Sequence, residues 1–232
     1  MAKFFSNVMA FHFQGYDAGT HTTRLTVTMQ VNPLDATVFL ESAERVLPGV
    51  RGDALEWAGF YEDGTGSAGT SLVGASTLLG TGTLYVTVYI GTGTGSVAFS
   101  GTTLYLAKKD SAEMGGLVRT EAIWGLDGTW AKGKTDTYKL GLSSSGSSGV
   151  IDNGASSTAG GYWFIHQHSG SGSLAFQHGT DTITWVDVQT FTNFSGPAGT
   201  YRSLGTGTIQ RYTRVIAAAG FTGTLSSMHV RL

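Results

Sequence analysis

The stretch RLTVTMQVNPLDATVFLESAERVLPGVRGDALEWAGFY, Arg24 to Tyr61, decides how the chain is read. Its first eight residues alternate strictly. Leu25, Val27, Met29 and Val31 fall on one face and Thr26, Thr28 and Gln30 on the other, the period of two of a half-buried strand. At its far end Leu55, Trp57 and Gly59 repeat the alternation less regularly. Between the two lies a mixed-charge segment, PLDATVFLESAERVLPG, without turn chemistry until its closing Pro-Gly. Asp35 offers a cap for a short helix toward ESAERVL. Thr37, Val38 and Phe39 oppose it through restricted χ1 or ring crowding, so an extended loop is the preferred reading.

Working outward, GTLYVTVYIG and GSVAFSGTTLYLAKK are rich in β-branched and aromatic residues and are separated by GTGTG, a hairpin signal. GLVRTEAIWGLDGTWAKG closes the first set of strands. The one good helical candidate is AGTSLVGASTLLG, where Leu72, Ala75, Ser76 and Leu79 share a face ahead of a glycine stop. Seven further strands are predicted at short spacing: DTYKLGL, GGYWFIHQH, SLAFQH, DTITWVDVQTF, TYRSLGTG, IQRYTRVIAA and GTLSSMHVRL. Short strands spaced in this way mark a sandwich or jelly roll. Glycine, at 35 of 232 residues, sits beside Thr and Ser between apolar runs, as in turn-rich all-β chains. Charge divides unevenly: residues 1–137 carry 9 basic and 13 acidic side chains, and residues 138–232 carry 5 and 3. The seam near KGKTDTYKLGLSSSGSSG places two domains at 1–135 and 136–232.

Composition removes several function classes. Charged residues make up only 13%, the net charge is −2 and the longest basic run is Lys108-Lys109, so direct nucleic-acid recognition lacks its basic patch. Without cysteine there is neither a disulfide framework nor a thiolate metal site. No apolar run approaches the ~20 residues of a membrane span, and the opening lacks a leader pattern, so a soluble chain folded in the cytosol with no membrane insertion is expected.

The chemical candidates are few. His166 and His168 face the same way on a strand and could offer two imidazoles to one metal, a near miss to the first cupin metal motif. The glutamate that should follow is absent, and an H-x-H on a strand needs no ligand, so no metal and no cofactor are expected. GTGTG links two strands and lacks a following helix to hold a phosphate. No serine sits in a G-x-S-x-G elbow. Glu62 with Asp63, and Glu41 with Glu44, are carboxylate pairs, but nothing in the spacing sets them across a cleft. Trp163 and Trp185 could stack on a glycan in a lectin-like sandwich, against the commoner role of large aromatics in a core. No enzyme is expected.

The opening stretch resembles the hairpin of tail tube proteins of long-tailed, siphovirus-type phages. In that family a strand ends in D-x-T-x-F, a variable loop follows, and G-[LV]-[KR] opens the next strand. Here these are Asp35, Thr37 and Phe39, then Gly49, Val50 and Arg51. A short helix and further strands follow in the same order, over roughly residues 1–137. The later strands, around DTITWVDVQTF, resemble the added C-terminal domains of some actinophage tail proteins. The resemblance implies an all-β fold: an N-terminal tail-tube-like β-sandwich or barrel with one short helix, plus a C-terminal jelly-roll-like β-sandwich on the outer surface. It implies a structural virion protein, assembled in the host cytoplasm into stacked six-membered rings around a channel for DNA, with itself and other tail proteins as partners. Asp35, Thr37, Phe39, Glu41, Glu44, Arg45 and Arg51 would form an inter-subunit loop, and Thr26, Thr28 and Gln30 a polar, nearly uncharged lumen wall. The alternatives are a capsid decoration or minor tail protein, and a carbohydrate-binding module.

Overall fold

The structure, a computed structural model, describes residues 10–19, 22–29, 31–35, 46–51, 53–60, 83–112, 118–126, 130–143, 146–218 and 220–232. Among them the fold is all-β, as the sequence predicts. The first ten strands are β1 (Ala10–Phe13), β2 (Tyr16–Asp17), β3 (Thr22–Thr28), β4 (Val31–Asp35), β5 (Val46–Arg51), β6 (Ala54–Phe60), β7 (Thr83–Tyr89), β8 (Val97–Ser111), β9 (Arg119–Leu126) and β10 (Ala131–Leu142). Six follow: β11 (Ile151–Asp152), β12 (Gly161–Gly179), β13 (Val186–Ser195), β14 (Ala198–Ser203), β15 (Tyr212–Ala217) and β16 (Thr222–Arg231). The helix expected within AGTSLVGASTLLG lies outside the described residues.

Long strands that change partners along their length build the architecture. β8 is 15 residues long; it pairs with β7 up to Leu104 and with β9 from Thr103 onward, slipping register between Tyr105 and Ala107. One layer is therefore β2-β1-β7-β8 and the other β3-β6-β9-β8, antiparallel throughout. Their inner faces meet in a core of Phe11, Phe13, Leu55, Trp57, Val86, Val88 and Trp124, with Phe11 and Trp124 edge to face at 5.4 Å. Burying several aromatics of this size, at ~25 cal/mol per Å² of apolar surface, is the main stabilisation of this half.

β12 plays the same part later in the chain. The sequence suggests two strands, YWFIHQH and SLAFQH; the structure joins them into one of 19 residues. Its first half pairs with β14 and β16, its second with β13 and β15. Gly170 and Gly172 sit between the halves with φ of 83° and 130°. A Cβ on Gly172 would stand 2.4 Å from Phe221 Cα, so only glycine lets the strand turn there. A second core of Trp163, Ile165, Leu174, Phe176, Val215 and Phe221 lies behind this bend.

β10 joins the halves. Ala131–Lys134 pair with β8, and Lys134–Leu142 pair with β16. The seam anticipated between residues 135 and 136 falls inside this strand. A smaller cluster of Ala10, Tyr89, Ala98, Phe164, Met228 and Val230 draws side chains from both sides of it.

The decisive stretch departs from its sequence reading in two places. The strand predicted through Val31 stops at Thr28, because its partner β6 begins at Ala54 and pairs Thr28 with Ala54. Met29, predicted on the apolar face, is 45% exposed. The connection expected as an extended loop carries strands at both ends: β4 and β5 form their own two-stranded sheet, pairing Leu34 with Leu47 and Asp35 with Val46.

Candidate functional site: open sheet edges and a histidine-lined seam

Two edges of the β3-β6-β9-β8 layer stand out. Among the described residues β3 pairs only with β6, and β8 beyond Leu104 pairs only with β9. Among the described residues, 22–28 and 105–111 are therefore the two outer strands, of equal length, on opposite sides of a four-stranded antiparallel sheet, about 14 Å apart at ~4.8 Å per strand. Unpaired N–H and C=O groups along an edge are templates for another strand.

Leu25 and Val27 pack on the first core, leaving Thr26 exposed and Thr28 half-buried on the outward face, while Gln30 lies outside the described residues. Arg24, Glu56, Lys109, Glu121 and Ile123 line a cleft of about 310 Å³ on that face. Arg119 lies 3.6 Å from Glu121. The pairing of Lys109 with Glu121 and of Ala107 with Ile123 sets these side chains in rows. This face thus carries charges of both signs, interleaved. Leu106, 55% exposed, lies over Gly125, whose missing Cβ makes room for it.

Of the loop residues, Asp35 ends β4 opposite Val46, and Arg51 ends β5 opposite Val31. Thr37, Phe39, Glu41, Glu44 and Arg45 lie outside the described residues.

The H-x-H pair occupies the seam between the halves. His166 is fully buried; its Nδ1 accepts the Gly15 N–H at 3.3 Å and its Nε2 lies 2.8 Å from Thr87 Oγ1. His168 Nδ1 is 2.6 Å from the Gly15 carbonyl oxygen, and its Nε2 is 3.0 Å from Ser226 Oγ. All four ring nitrogens are engaged by backbone or hydroxyl groups, which is an arrangement for packing and not for metal ligation.

Sequence reasoning missed the third imidazole. His12 lies on β1 between two core phenylalanines, stacks on Tyr138 at 5.2 Å, and meets the His168 ring edge-on at 4.6 Å. Its Nε2 is 3.4 Å from Asp17 Oδ1. Asp17 also meets the Lys139 ammonium, which a register shift in β10 and a left-handed backbone at Lys139 (φ 47°) bring to it. Burial, then the neighbouring His12, lowers His168 to about 4. Burial lowers His12 and takes His166 well below the ordinary histidine value. For Asp17, burial acts upward, but His12 and Lys139 hold it below the carboxylate range. The only sequence signal for this cluster was that FHF sets His12 opposite two core aromatics. Nothing local showed that the outward face would be covered by β10 and β12.

The two tryptophans do not form a stacking platform. Trp163 is wholly buried, 5.7 Å from Phe176 in the second core, the core role preferred over glycan stacking in the sequence. Trp185 is half-buried and has the Arg214 guanidinium over its ring at 4.1 Å.

No protein-family model matches the chain, and no curated protein sequence matches it. Solved structures do. The SPP1 tail tube is 14% identical, with a TM-score of 0.45, over 56% of this chain and 78% of that one. The tail of an empty gene transfer agent particle, refined with C6 symmetry, is 13% identical, with a TM-score of 0.38, over 53% of this chain and 92% of that one. The SPP1 Dit protein, described as a hub of the adsorption apparatus in phages infecting Gram-positive hosts, is 10% identical, with a TM-score of 0.39, over 96% and 98%. What the chain is similar to in these three structures is a tail tube, a particle tail and an adsorption hub.

Proposed function

We propose that the chain is a structural subunit of a virion tail, the tail tube protein, whose copies close into a ring around a channel through which DNA passes. The observation that carries this reading is the pair of outer strands that, among the described residues, leave both edges of one four-stranded antiparallel sheet open. β3 and the free part of β8 run in opposite directions, so β3 of one copy can add antiparallel to β8 of the next. The contact is heterologous: each copy offers a different edge on either side, and such contacts generate closed rings when the rotation closes. The D-x-T-x-F motif, which starts at the last residue of β4, and the G-V-R triplet, which ends β5 where the family pattern has it open a strand, support the same family in sequence. In this reading residues 1–135 form the ring, residues 136–232 lie outward, and the β4–β5 hairpin reaches a neighbouring copy.

Full overlap of the two edges would set Arg24 opposite Lys109, and like charges directly opposite are destabilising. A two-residue slip either way preserves the faces and sets Arg24 opposite Ala107 or Ser111. The chain has no native cysteine, so this register is directly testable. Arg24→Cys with Ala107→Cys, or with Ser111→Cys, should give disulfide-linked ladders of copies on oxidation, and Arg24→Cys with Lys109→Cys should not. Electron microscopy of the wild type over a concentration series should show rings or hollow tubes. Compact trimers without cross-linked ladders would overturn the ring and favour a decoration protein.

A further inference from the structure

We infer that the β1–β2 turn is an acid-released clasp that locks the two halves of the molecule together at neutral pH. Gln14 and Gly15 form the two-residue turn, both with positive φ (46° and 82°). The turn is inserted into the later half: a Cβ on Gly15 would stand 2.3 Å from Ala198 N and 2.4 Å from Gln167 O. Gln14 Oε1 accepts the Gly199 N–H at 3.3 Å. Both backbone groups of Gly15 are held by imidazoles, and the surrounding hydroxyls fix which proton each ring carries. Ser100 Oγ donates to the Val86 carbonyl at 2.6 Å, so Thr87 donates to Ser100 at 2.8 Å and must accept from His166 Nε2–H. That leaves Nδ1 of His166 bare to accept from Gly15 N–H. Ser226 Oγ accepts the Lys139 N–H at 2.8 Å and gives its proton to His168 Nε2, so His168 carries its proton on Nδ1 and donates to the Gly15 carbonyl.

The two histidines therefore grip one glycine in opposite tautomers; His166 must be neutral to accept from Gly15, whereas His168 keeps its Nδ1–H on the Gly15 carbonyl in either charge state and resists a proton because its ring is buried. A proton on His166 Nδ1 would set N–H against N–H. His12 stands beside both rings. The charged and titratable groups facing the three imidazoles are Asp17 on β2, Tyr89 on β7, and Tyr138 and Lys139 on β10; the Asp136–His229 pair of β10 and β16 lies beyond them. Opening the clasp hydrates the imidazoles, which then bind protons at their ordinary values near 6.5. Each histidine that takes a proton on opening raises the opening constant tenfold per pH unit below that value. Three histidines make release steep, up to a thousandfold per unit.

The test is hydrogen–deuterium exchange of the full chain between pH 7 and 4.5, corrected for the pH dependence of chemical exchange, reading the peptide covering residues 10–19 against peptides of β7 and β12. The expected result is an opening constant for the turn that rises with a slope of two to three decades per pH unit while β7 stays protected. His166→Asn, which keeps an acceptor near the Nδ1 position but cannot be protonated, should reduce the slope by one. Gly15→Ala should open the turn already at pH 7. A wild-type slope near zero, or loss of protection in β7 together with the turn, overturns the proposal even where the variants fail to fold. The inference stands apart from the tail reading: a clasp without rings, or rings without a clasp, would separate the two.

Discussion

At the scale of single residues, the buried histidines set the pH dependence of stability. His168 titrates at about 4 when folded and near 6.5 when unfolded. Below pH 6.5 the unfolded chain binds protons that the folded chain refuses, so stability falls as pH drops through that window and the loss is complete near pH 4. The difference amounts to about 3 kcal/mol for this residue. Asp17 acts in the same direction further down: its folded carboxyl is held below the ordinary range, so its contribution is present above about pH 4 and is lost under more acidic conditions. Urea denaturation at pH 7, 6 and 5 should show a falling midpoint with unchanged slope. His168→Asn should flatten that fall, and a midpoint constant across the range would refute the assignment. Little of this was legible in the sequence, because the rings of Tyr138, His166 and His168 that cover His12 stand more than 120 residues away on β10 and β12.

At the scale of elements, the strands were legible and their bends were not. β6, β7 and β8 were readable from period-two patterning and β-branched content, which are local properties. The continuity of β12 across SGSGS was hidden because Ser-Gly runs read as turns, whereas here Gly170 and Gly172 let one strand serve two sheets. Gly172→Ala tests that role. Its Cβ meets backbone and not a movable side-chain end, so the expected cost is about 2–4 kcal/mol, read as a lowered thermal midpoint, while Gly207→Ala, with open space around it, should cost under ~1 kcal/mol. The charges on the outward face of the β3-β6-β9-β8 layer were hidden for a related reason: apart from Arg24 on β3 itself, those beside Thr26 and Thr28 come from β6, β8 and β9. Interleaved signs keep the face close to neutral by pairing, with each exposed pair worth only ~0–1 kcal/mol.

At the scale of the whole molecule, the open edges decide whether this chain is a monomer or a part. A strand edge left bare is a liability that monomeric proteins blunt and that assemblies use as their bonding surface. If β3 and β8 join between copies, folding and assembly are linked, and anything that binds only the folded state raises its stability by mass action. A hundredfold rise in protein concentration then contributes up to about 2.7 kcal/mol per interface, which for a chain of this size shifts the thermal midpoint by roughly 5–10 °C. The thermal midpoint should therefore climb with concentration in the wild type. It should climb less in a variant lacking residues 34–48 if the β4–β5 hairpin also bridges copies. A midpoint independent of concentration, together with a monomer mass at every concentration, would mean that the edges are blunted within the chain itself and that the ring does not form through them.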